Sequence, residues 1–302
     1  MKLRLHLLFL VVGVLVPMLV FALVAVRLLI QDEREAIERD AIGRARAAMI
    51  AVDAHLRASI VSLETLAASK TLEADDIAGF HAESQRVLRT QPAWVNIGLT
   101  SAAKVQLSDA IYAFGKPAPF SVDDESLATA LRGERAGIGG VVAGTAVRSP
   151  TVRVRVPVAH GGQVRYVLSA PLNLTYLAEV LEAQRLPADW AIGLVDREER
   201  FIVRIPGVAA GSPVSDSFRE AIDREPLGWF HGRTLEGRST YTSYVTSPLS
   251  GWVLGIAIPA GVVEAGARRG FALIGAGALL ALAIGAFLAW QIARRAETPA
   301  SR

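Results

Sequence analysis

The sequence contains no cysteine, which excludes a disulfide framework, a thiolate metal site and a cysteine nucleophile. Its five histidines are scattered along the chain without the spacing of metal ligands. The motifs G-x-S-x-G and H-E-x-x-H and the phosphate-binding P-loop are also absent. The sequence therefore predicts no catalytic residues, no metal site and no cofactor, and it leaves open whether the chain serves an enzyme.

Most of the chain has nearly equal numbers of basic and acidic residues. The formal net charge is +3, but residues 31–270 hold 26 Lys and Arg against 28 Asp and Glu. The two ends together hold six basic residues against one acidic residue. A basic patch that would bind nucleic acid is therefore not predicted. The basic excess instead flanks two apolar stretches near the ends of the chain.

Those stretches, Leu7–Val26 and Phe271–Trp290, carry no charge, and each is close to the roughly 20 residues that cross a bilayer as a helix. An alternative for the first is a cleaved signal peptide, but its apolar run exceeds the roughly 7–15 residues of such peptides. The flanking basic residues are Lys2, Arg4, Arg294 and Arg295. They predict cytoplasmic termini, with residues 31–270 outside, in a two-span protein of the bacterial inner membrane. The lipid bilayer is then a partner.

A long helix is predicted directly after the first apolar stretch. Apolar or small residues recur there at alternating steps of three and four, which is a heptad pattern. They are Ile42, Ala45, Met49, Val52, Leu56, Ser59, Leu63 and Leu66. Two interpretations stay open: this seam packs on the chain's own domain, or it pairs with a second copy in a homodimer.

Short elements follow the long helix. A helix is predicted near Asp76–Leu88, with Asp75 or Asp76 as its N-cap. Two hairpins come next, W-V-N-I-G-L with K-V-Q-L-S-D-A-I and T-V-R-V-R-V-P-V with V-R-Y-V-L-S-A-P. The second is joined through Gly161-Gly162, a pair suited to a tight primed turn. Between the hairpins, S-V-D-D-E-S-L-A-T-A-L-R-G predicts a short helix that ends at its glycine.

The order of elements then repeats. I-G-L at residues 97–99 reappears at 192–194, each time after a tryptophan. Y-V-L-S-A-P-L-N-L near the end of the first unit parallels W-V-L-G-I-A-I-P-A near the end of the second. The repeat predicts two tandem α+β modules of antiparallel strands on one long helix.

The last predicted strand, Trp252–Pro259, is apolar on both faces, one of which carries the small residues Gly255 and Ala257, so both faces are expected to be covered. Its small residues favour close approach of another element, for which the long helix is the candidate. The connector Ala260–Arg269 then leads to the second apolar stretch. It is predicted to form a helical turn, although its glycines favour a looser connection.

One strand offers a candidate ligand site. In T-V-R-V-R-V-P-V the valines face one way, while Arg153 and Arg155 face the other. Two interpretations stay open: this is a solvent-exposed sheet face, or it is a concave surface where two guanidiniums bind a carboxylate or other anion. Tyr112 and Tyr166 are predicted to flank it, since each offers a ring and a hydroxyl.

The arrangement resembles the double Cache (tandem PAS-like) sensor domain of bacterial membrane receptors, from about Val24 to Arg294. The most specific part is G-R-T-L-E-G-R-S-T-Y-T-S-Y-V-T-S followed by S-P-L-S-G-W-V-L-G-I-A-I-P. Its wording is most similar to the sensors of histidine kinases. The resemblance implies a small-molecule receptor that dimerises, binds its ligand in the membrane-distal module and signals through its membrane helices.

The chain departs from the amino-acid-binding members of this family. Those carry an Arg-x-Trp-Tyr cluster and an aspartate after the last strand of the module. Here R-V-R-V stands in place of the first, and Pro171 or Asn173 in place of the second. With no carboxylate to hold an α-ammonium group, an amino-acid ligand is not expected.

The sequence thus predicts an α+β fold in which a long N-terminal helix carries two tandem Cache modules flanked by two transmembrane helices. The predicted segments are a tip and first span at 1–30, the long and short helices at 31–93, the membrane-distal module at 94–186, the membrane-proximal module at 187–263, and the connector, second span and tail at 264–302. The chain is expected to be the input half of a longer receptor or a free-standing sensor that needs a partner.

The function predicted from this resemblance is ligand sensing for a histidine kinase. The alternatives are the sensor of a diguanylate cyclase or chemoreceptor, a bitopic membrane assembly protein such as a polysaccharide chain-length regulator, and a membrane-tethered enzyme. Long helical protrusions and a proline-rich second span are typical of the assembly proteins, and Phe271–Trp290 contains no proline. The missing motifs count against the enzyme.

Overall fold

The structure is a computed structural model that describes residues 2–116, 124–133, 135–142 and 149–296. Side chains are described for residues 17, 18 and 20 onward within these ranges, except 286, 288, 289 and 292–296. The chain divides into two compact units, one formed by Met1–Asp40 with Ala260–Arg302 and the other by Ala41–Pro259.

The first unit is helical. It contains the N-terminal part of α1 (Lys2–Ala67), the short α7 (Ala260–Val263) and α8 (Ala265–Ala296). Among the described residues, one segment is long and apolar enough to cross a membrane, Ala265–Gly285, with a mean hydropathy of 1.5. The first predicted span, Leu7–Val26, belongs to α1, but its side chains lie largely outside the described ones and its role stays a prediction.

Glycines set the distance between α1 and α8 inside this unit. A Cβ added at Gly266 would overlap the Glu33 carboxylate, and one at Gly270 would lie 3.0 Å from Val26 Cγ1. The connector itself is helical and braced, since Arg268 Nη2 donates to the Gly261 carbonyl at 2.9 Å. The glycines that favoured a loose connector in the sequence therefore allow close helix packing instead.

The second unit begins with helices. The remainder of α1 is followed by α2 (Lys70–Glu73) and α3 (Ile77–Leu88). The Asp76 side chain caps α3 by accepting a hydrogen bond from the Gly79 backbone N–H at 2.8 Å, which confirms the predicted N-cap. A carboxylate at this position also interacts favourably with the helix dipole.

The first sheet follows, and we call it the distal sheet. Its strands are β1 (Gly98–Ser101), β2 (Gln106–Asp109), β3 (Gly137–Ile138), β4 (Val152–His160) and β5 (Gln163–Leu172), in the order β2-β1-β5-β4-β3. Helix α4 (Asp124–Leu131) lies between β2 and β3 in sequence, and α5 (Leu174–Glu182) follows β5. Gly161 and Gly162 both have positive φ in the β4–β5 turn, as that tight turn requires.

The second sheet, which we call the proximal sheet, repeats this topology. Its strands are β6 (Ala191–Val195), β7 (Phe201–Ile205), β8 (Leu227–Arg233), β9 (Ser239–Thr246) and β10 (Val253–Pro259), in the order β7-β6-β10-β9-β8. Helix α6 (Asp216–Ile222) lies between β7 and β8. The two sheets and their helices confirm the predicted α+β fold with two antiparallel modules, and β5 and β10 hold equivalent places.

The heptad seam of α1 packs on the chain's own sheets. Met49, Val52, Leu56 and Leu63 are at most 3% exposed. Polar contacts fix the helix to both modules: Trp94 Nε1 donates to Ser59 Oγ at 3.0 Å, Ser247 Oγ to the Asp53 carboxylate at 2.7 Å, and Ser243 Oγ to the Ala41 carbonyl at 3.1 Å. The first interpretation of the seam is therefore correct, and these side chains are not available to a second copy.

Strand β10 is covered on both faces, as predicted. Trp252, just before the strand, and its residues Leu254, Ile256 and Ile258 are fully buried. On the small face, a Cβ added at Gly255 would lie 2.7 Å from Phe218 Cζ of α6. The expectation that the long helix covers this face is wrong, because the ring of Phe218 occupies the space that glycine leaves.

Candidate functional site

The candidate site lies on the face of the distal sheet that α4 covers. Residues paired on neighbouring antiparallel strands share a face, so the register defines a row across the sheet. This row reads Asp109, Gly98, Ser169, Arg155 and Gly137. Since adjacent strands are about 4.8 Å apart, the backbones of Asp109 and Arg155 are separated by roughly 14 Å across the sheet.

Two arginines form the basic part of this face. Arg153 and Arg155 are 8% and 1% exposed. Arg155 Nε donates to the Ser169 hydroxyl at 3.2 Å, and its Nη1 group donates to the Ser126 hydroxyl on α4. The interpretation of this face as solvent-exposed is wrong, because arginine is almost never fully buried without polar partners and here it has them.

Helix α4 covers the arginine face closely. A Cβ at Gly137 would overlap the Ser126 carbonyl oxygen, so only glycine on β3 allows the helix this position. Leu127 and Ala130 pack on Val167 of β5, which gives the helix a small apolar anchor beside the polar residues. The cover therefore combines a modest apolar contact with a direct hydrogen bond to a buried guanidinium.

Asp109 supplies a carboxylate on the same face. It is 7% exposed and accepts hydrogen bonds from Asn96 Nδ2 at 2.8 Å, the Ile111 backbone N–H at 3.3 Å and Gln106 Nε2 at 3.4 Å. Burial raises the pKa of this carboxyl above its ordinary value, although the Asn96 amide opposes that shift. Asp109 was not predicted as a site residue, because it shares the face of Arg155 only once the strand register is known.

Tyr166 lies on the opposite face of the sheet. It pairs with Val158, in phase with the valines of β4, and its hydroxyl donates to Asp75 Oδ1 at 2.7 Å. Arg165 forms an ion pair with the same carboxylate at 2.6 Å. Burial raises the pKa of the Tyr166 hydroxyl, and the hydrogen bond to Asp75 acts in the same direction. The structure therefore does not bring Tyr166 to the two arginines.

Tyr112 lies beyond the other edge of the site. It belongs to the turn after β2, where its backbone N–H donates to the Asp109 carbonyl at 3.2 Å, and its side chain is half-buried. It is nearer in the chain to the acidic residue of the row than to the arginines. Of the four predicted ligand residues, Arg153 and Arg155 are brought together, and the ligand role of all four stays a prediction.

A buried carboxylate connects this region to the second module. Asp196, in the β6–β7 turn, has a side chain that is 0% exposed. Its Oδ2 accepts the Val141 backbone N–H at 2.9 Å, and its Oδ1 accepts the Arg200 backbone N–H at 2.8 Å. Gly140 leaves no room for a side chain here, since its Cβ would lie 2.8 Å from Asp196 Oδ2. The segment after β3 is thereby fixed to the proximal module.

No group of three or more His, Asp or Glu side chains is placed to hold a metal ion within the described ranges. The chain matches no protein-family model and no curated protein sequence. Its fold does match solved structures.

One such structure is the extracellular domain of rpHK1S-Z16, described as a histidine kinase, with 15% sequence identity, a TM-score of 0.58 and coverage of 76% of this chain and 96% of that one. Another is the ligand-binding domain of the Pseudomonas fluorescens chemoreceptor CtaA with L-isoleucine, at 14% identity, a TM-score of 0.58 and coverage of 78% and 95%. A third is the ligand-binding domain of Mlp24 with asparagine, at 13% identity, a TM-score of 0.57 and coverage of 80% and 98%. At identities this low, the structural matches establish a shared fold and nothing further.

Proposed function

We propose that this chain is the ligand-sensing input region of a bacterial transmembrane receptor, a two-component sensor histidine kinase, and that its ligand binds on the arginine face of the distal sheet. The observation that carries this proposal is the burial of Arg153 and Arg155 on one face of β4, where Arg155 donates to Ser126 of α4. The fold shared with the extracellular and ligand-binding domains above supports the receptor class. We include the boundaries 94–186 and 187–263 for the two modules in the proposal.

The physical argument is the cost of burying charge. Removing a guanidinium from water is unfavourable by several kcal/mol, and a core of apolar residues of similar volume is often as stable. Two buried arginines on one sheet face are therefore not expected to increase the stability of the module. Their planar forks are well suited to bind a carboxylate through two parallel hydrogen bonds. A small anion is accordingly the first candidate ligand.

A second candidate is a zwitterion such as an amino acid. The sequence argument against it was the lack of a carboxylate for the ammonium group, yet Asp109 lies on the same sheet face as Arg155. Only Gly98 and Ser169 separate them in the row. The CtaA and Mlp24 structures hold L-isoleucine and asparagine, which favours keeping this candidate.

The test is thermal unfolding of the full chain in detergent micelles with defined probes. Succinate, malate and citrate serve as anions, and L-isoleucine and L-asparagine as zwitterions. A ligand that binds the folded state raises the Tm by mass action. The variants Arg153→Gln and Arg155→Lys should lose the shift, whereas Arg165→Gln, on an exposed arginine outside the site, should keep it.

Asp109→Asn separates the two ligand classes. It should abolish a shift caused by an amino acid, because the ammonium partner is lost, and leave a shift caused by a simple anion. If any probe gives the same shift in wild type, Arg153→Gln and Arg155→Lys, the ligand does not bind on the arginine face. If no probe from either class shifts the Tm, the proposed ligand chemistry is wrong.

The membrane part of the proposal includes two spans. Large apolar side chains of α1 and α8 are exposed in the first unit, among them Phe21 (74%), Leu29 (66%), Leu273 (75%) and Leu279 (70%), which is the surface that a bilayer would cover. Reporter fusions at Gln31 and Arg302 should give outer and inner signals respectively. Matching signals would contradict the topology with two spans, cytoplasmic termini and residues 31–270 outside.

We also propose that the receptor is a homodimer, formed through the outer side of α1. Ile50 and Val61 are 63% and 59% exposed, and both lie away from the buried seam. Because the chain has no cysteine, single cysteines report contacts without background. Ile50→Cys and Val61→Cys should form disulfide-linked dimers in membranes, while the matched buried position Leu56→Cys should not. Equal yields at all three positions would count against this interface.

The runner-up classes differ in their output. A chemoreceptor or a diguanylate cyclase would use the same ligand site and the same membrane helices, so binding experiments do not separate them from a kinase. A bitopic assembly protein would bind no small ligand on the arginine face, and the thermal-shift test above addresses it. The sequence that encodes the cytoplasmic output identifies the receptor class directly.

A further inference from the structure

The proximal module contains a cavity of its own. It lies between the sheet and α6, and its floor is made of small residues from adjacent strands: Gly193, Gly255, Ala257, Thr240 and Thr242. The space that the centre of a water-sized sphere can occupy in this cavity has a volume of about 40 Å³. A single water needs about 10–15 Å³ by this measure, so the cavity has room for about three waters or one compact molecule.

One wall of the cavity is apolar and the opposite wall carries a buried cation. Phe218 and Phe230 form the apolar side, with their rings stacked 5.9 Å apart. Arg204 forms the polar side: its side chain is 7% exposed and its guanidinium lies 5.9 Å from the centre of the Phe201 ring. A buried guanidinium facing an apolar wall matches a molecule with a carboxylate at one end and a short hydrocarbon part at the other.

At present Arg204 is bound by a carboxylate of the chain itself. Its Nη1 and Nη2 atoms donate to the two Glu236 oxygens at 2.7 and 2.9 Å, which is the bidentate geometry that a free carboxylate would adopt. This pairing lowers the pKa of Glu236 to about 2, so the carboxylate is ionised at any physiological pH. Arg204 Nη1 also donates to the Pro206 carbonyl at 3.2 Å, which holds the guanidinium in place independently of Glu236.

Glu236 belongs to a segment that can release it. It lies in the turn between β8 and β9, where the Thr234 N–H donates to the Arg238 carbonyl at 3.0 Å and Gly237 has a φ of 77°. The side chain of Glu236 is 45% exposed, in contrast to that of Arg204. Rotation of one exposed glutamate side chain would therefore uncover the arginine without disturbing the sheet.

We propose that this cavity is a second ligand site, specific for short-chain monocarboxylates, and that Glu236 occupies the carboxylate position when the ligand is absent. The incoming carboxylate takes the two hydrogen bonds of Arg204, and its alkyl part contacts Phe218 and Phe230. No covalent bond forms or breaks, and the displaced glutamate is hydrated at the surface. This site is independent of the arginine face of the distal sheet.

The competition predicts weak binding in the wild type. A tethered carboxylate acts at an effective concentration in the millimolar range or above, which an external acid has to exceed. Removing the competitor while keeping Arg204 should therefore increase affinity, a result that a purely structural ion pair would not give.

The test is ligand-detected NMR and calorimetry on the full chain in detergent micelles, with formate, acetate, propionate and butyrate as probes. Glu236→Gln should bind the best of these acids at least about tenfold more tightly than the wild type. Ala257→Leu fills the cavity without changing any charge and should abolish binding when combined with Glu236→Gln. Glu199→Gln is the matched control, because it removes a similar ion pair of this module, with Arg219 at 2.6 Å, outside the cavity lining.

Each outcome decides the proposal. Tighter binding in Glu236→Gln, loss of binding in the double variant and no change in Glu199→Gln would support it. Equal affinity in wild type and Glu236→Gln, or binding that survives Ala257→Leu, would overturn it. Arg153→Gln separates the two sites: it should leave monocarboxylate binding unchanged, so failure of the distal site and failure of this one are distinguishable.

Discussion

The two modules share one topology but place opposite chemistry beneath their short helices. Under α4 the distal sheet presents Arg155 and its partner Ser169, and the same sheet face carries Arg153 and the more distant Asp109. At α6 the proximal module instead has an apolar cluster, to which the helix contributes Phe218 and Ala221 and which also contains Val195, Phe201, Val214, Tyr244 and Val253. The same fold thus covers a polar face in one module and an aromatic face in the other.

The two clusters at α4 and α6 are expected to differ in how much they stabilise their modules. Aromatic side chains bury a large area and their edge and stacked contacts add further stabilisation, so we expect the aromatic cluster at α6 to contribute more stability than the smaller apolar cluster at α4. Buried polar groups stabilise only when every partner is in place. We infer that the arginine face of the distal sheet gives up stability for the proposed ligand, whereas the aromatic cluster stabilises the proximal sheet, whose last strand continues into the connector, beside the smaller site proposed there.

The largest expected effect concerns the exits of the two modules. β10 is followed at once by the helical connector, whereas β5 leads to α5. Four Gly and Ser residues inserted after Glu264 should abolish ligand-controlled output while leaving ligand affinity nearly unchanged, because they interrupt the helical path to α8. The measurement is ligand binding and kinase activity on one variant of the chain fused to a kinase output domain.

The control for that insertion is the same four residues between Gly161 and Gly162 in the β4–β5 turn, where neither glycine has an atom within 4 Å of its Cβ position. Output there should remain ligand-controlled. Normal regulation in the Glu264 variant would show that the connector is a passive tether and would remove the mechanical difference between the two modules.

The next effect concerns the cores. Phe218→Ala should destabilise the protein by about 3–5 kcal/mol, because it leaves a cavity against Phe230, Tyr244 and the open surface of Gly255. Leu127→Ala in α4 should cost nearer the lower limit of the usual range, about 2 kcal/mol, since among the described residues its cluster is small: Ala130 and Val167 are buried, and Leu131 and Val164 are partly buried. Urea unfolding of the full chain in micelles gives both values.

Hydrogen exchange provides an independent check on the cores. The amides of α4 should exchange faster than those of α6, because the helix over the polar face has the smaller apolar anchor. Equal protection of the two helices, or a larger cost for Leu127→Ala than for Phe218→Ala, would reverse our ranking of the two modules.

Much of this architecture is predictable from the sequence. Strand alternation and the Gly161-Gly162 turn predict the β4–β5 hairpin, and Asp76 marks the start of α3 because a carboxylate there satisfies a free N–H group. The repeated I-G-L motif predicts the second module, since both copies occupy equivalent strands. The turn and the helix cap depend on a few neighbouring residues, so they can be predicted without knowledge of the tertiary structure.

The parts that could not be predicted depend on long-range register. The alternation of side chains along a strand shows which residues of β4 share a face with Arg155 and which residues of β5 share a face with Tyr166. That the two residues lie on opposite faces of the sheet follows only from the pairing of β4 with β5. Asp109 joins the arginine face only through Gly98 and Ser169. Likewise, Gly255 predicts close approach of some element, and only the tertiary packing shows that Phe218 is the residue that approaches.

A smaller effect should follow from removing Asp196, which forms one of the contacts between the modules; the ion pair of Arg197 with Glu125 at 3.3 Å is another. Asp196→Ala leaves the Val141 and Arg200 N–H groups without their acceptor. Two buried donors left unpaired would cost about 2–6 kcal/mol, and we expect a loss of about 2–3 kcal/mol because the Arg200 N–H is only partly buried. Asp196→Asn keeps one acceptor and should cost less. Unfolding of these variants should remain a single transition only if other contacts also join the modules, and an unchanged stability in Asp196→Ala would show that the modules are independent.

The smallest effect is the pH dependence of the proximal ion pair. The pKa of Glu236 is about 2 in the folded protein, against an ordinary value of 4.5, chiefly because Arg204 stabilises the ionised form. A depressed pKa contributes stability that is complete above about pH 4.5 and is lost as the pH falls toward 2. The wild type should therefore be more stable than Glu236→Gln at pH 7, and the difference should shrink steadily between pH 5 and pH 2.

The effect is modest because Glu236 is 45% exposed and solvent screens the pair. The measurement is the Tm of both proteins across this range. A difference between wild type and Glu236→Gln that does not change with pH would show that Arg204 does not stabilise the ionised form of Glu236, and the contrast between the two modules would then depend on the aromatic cluster alone.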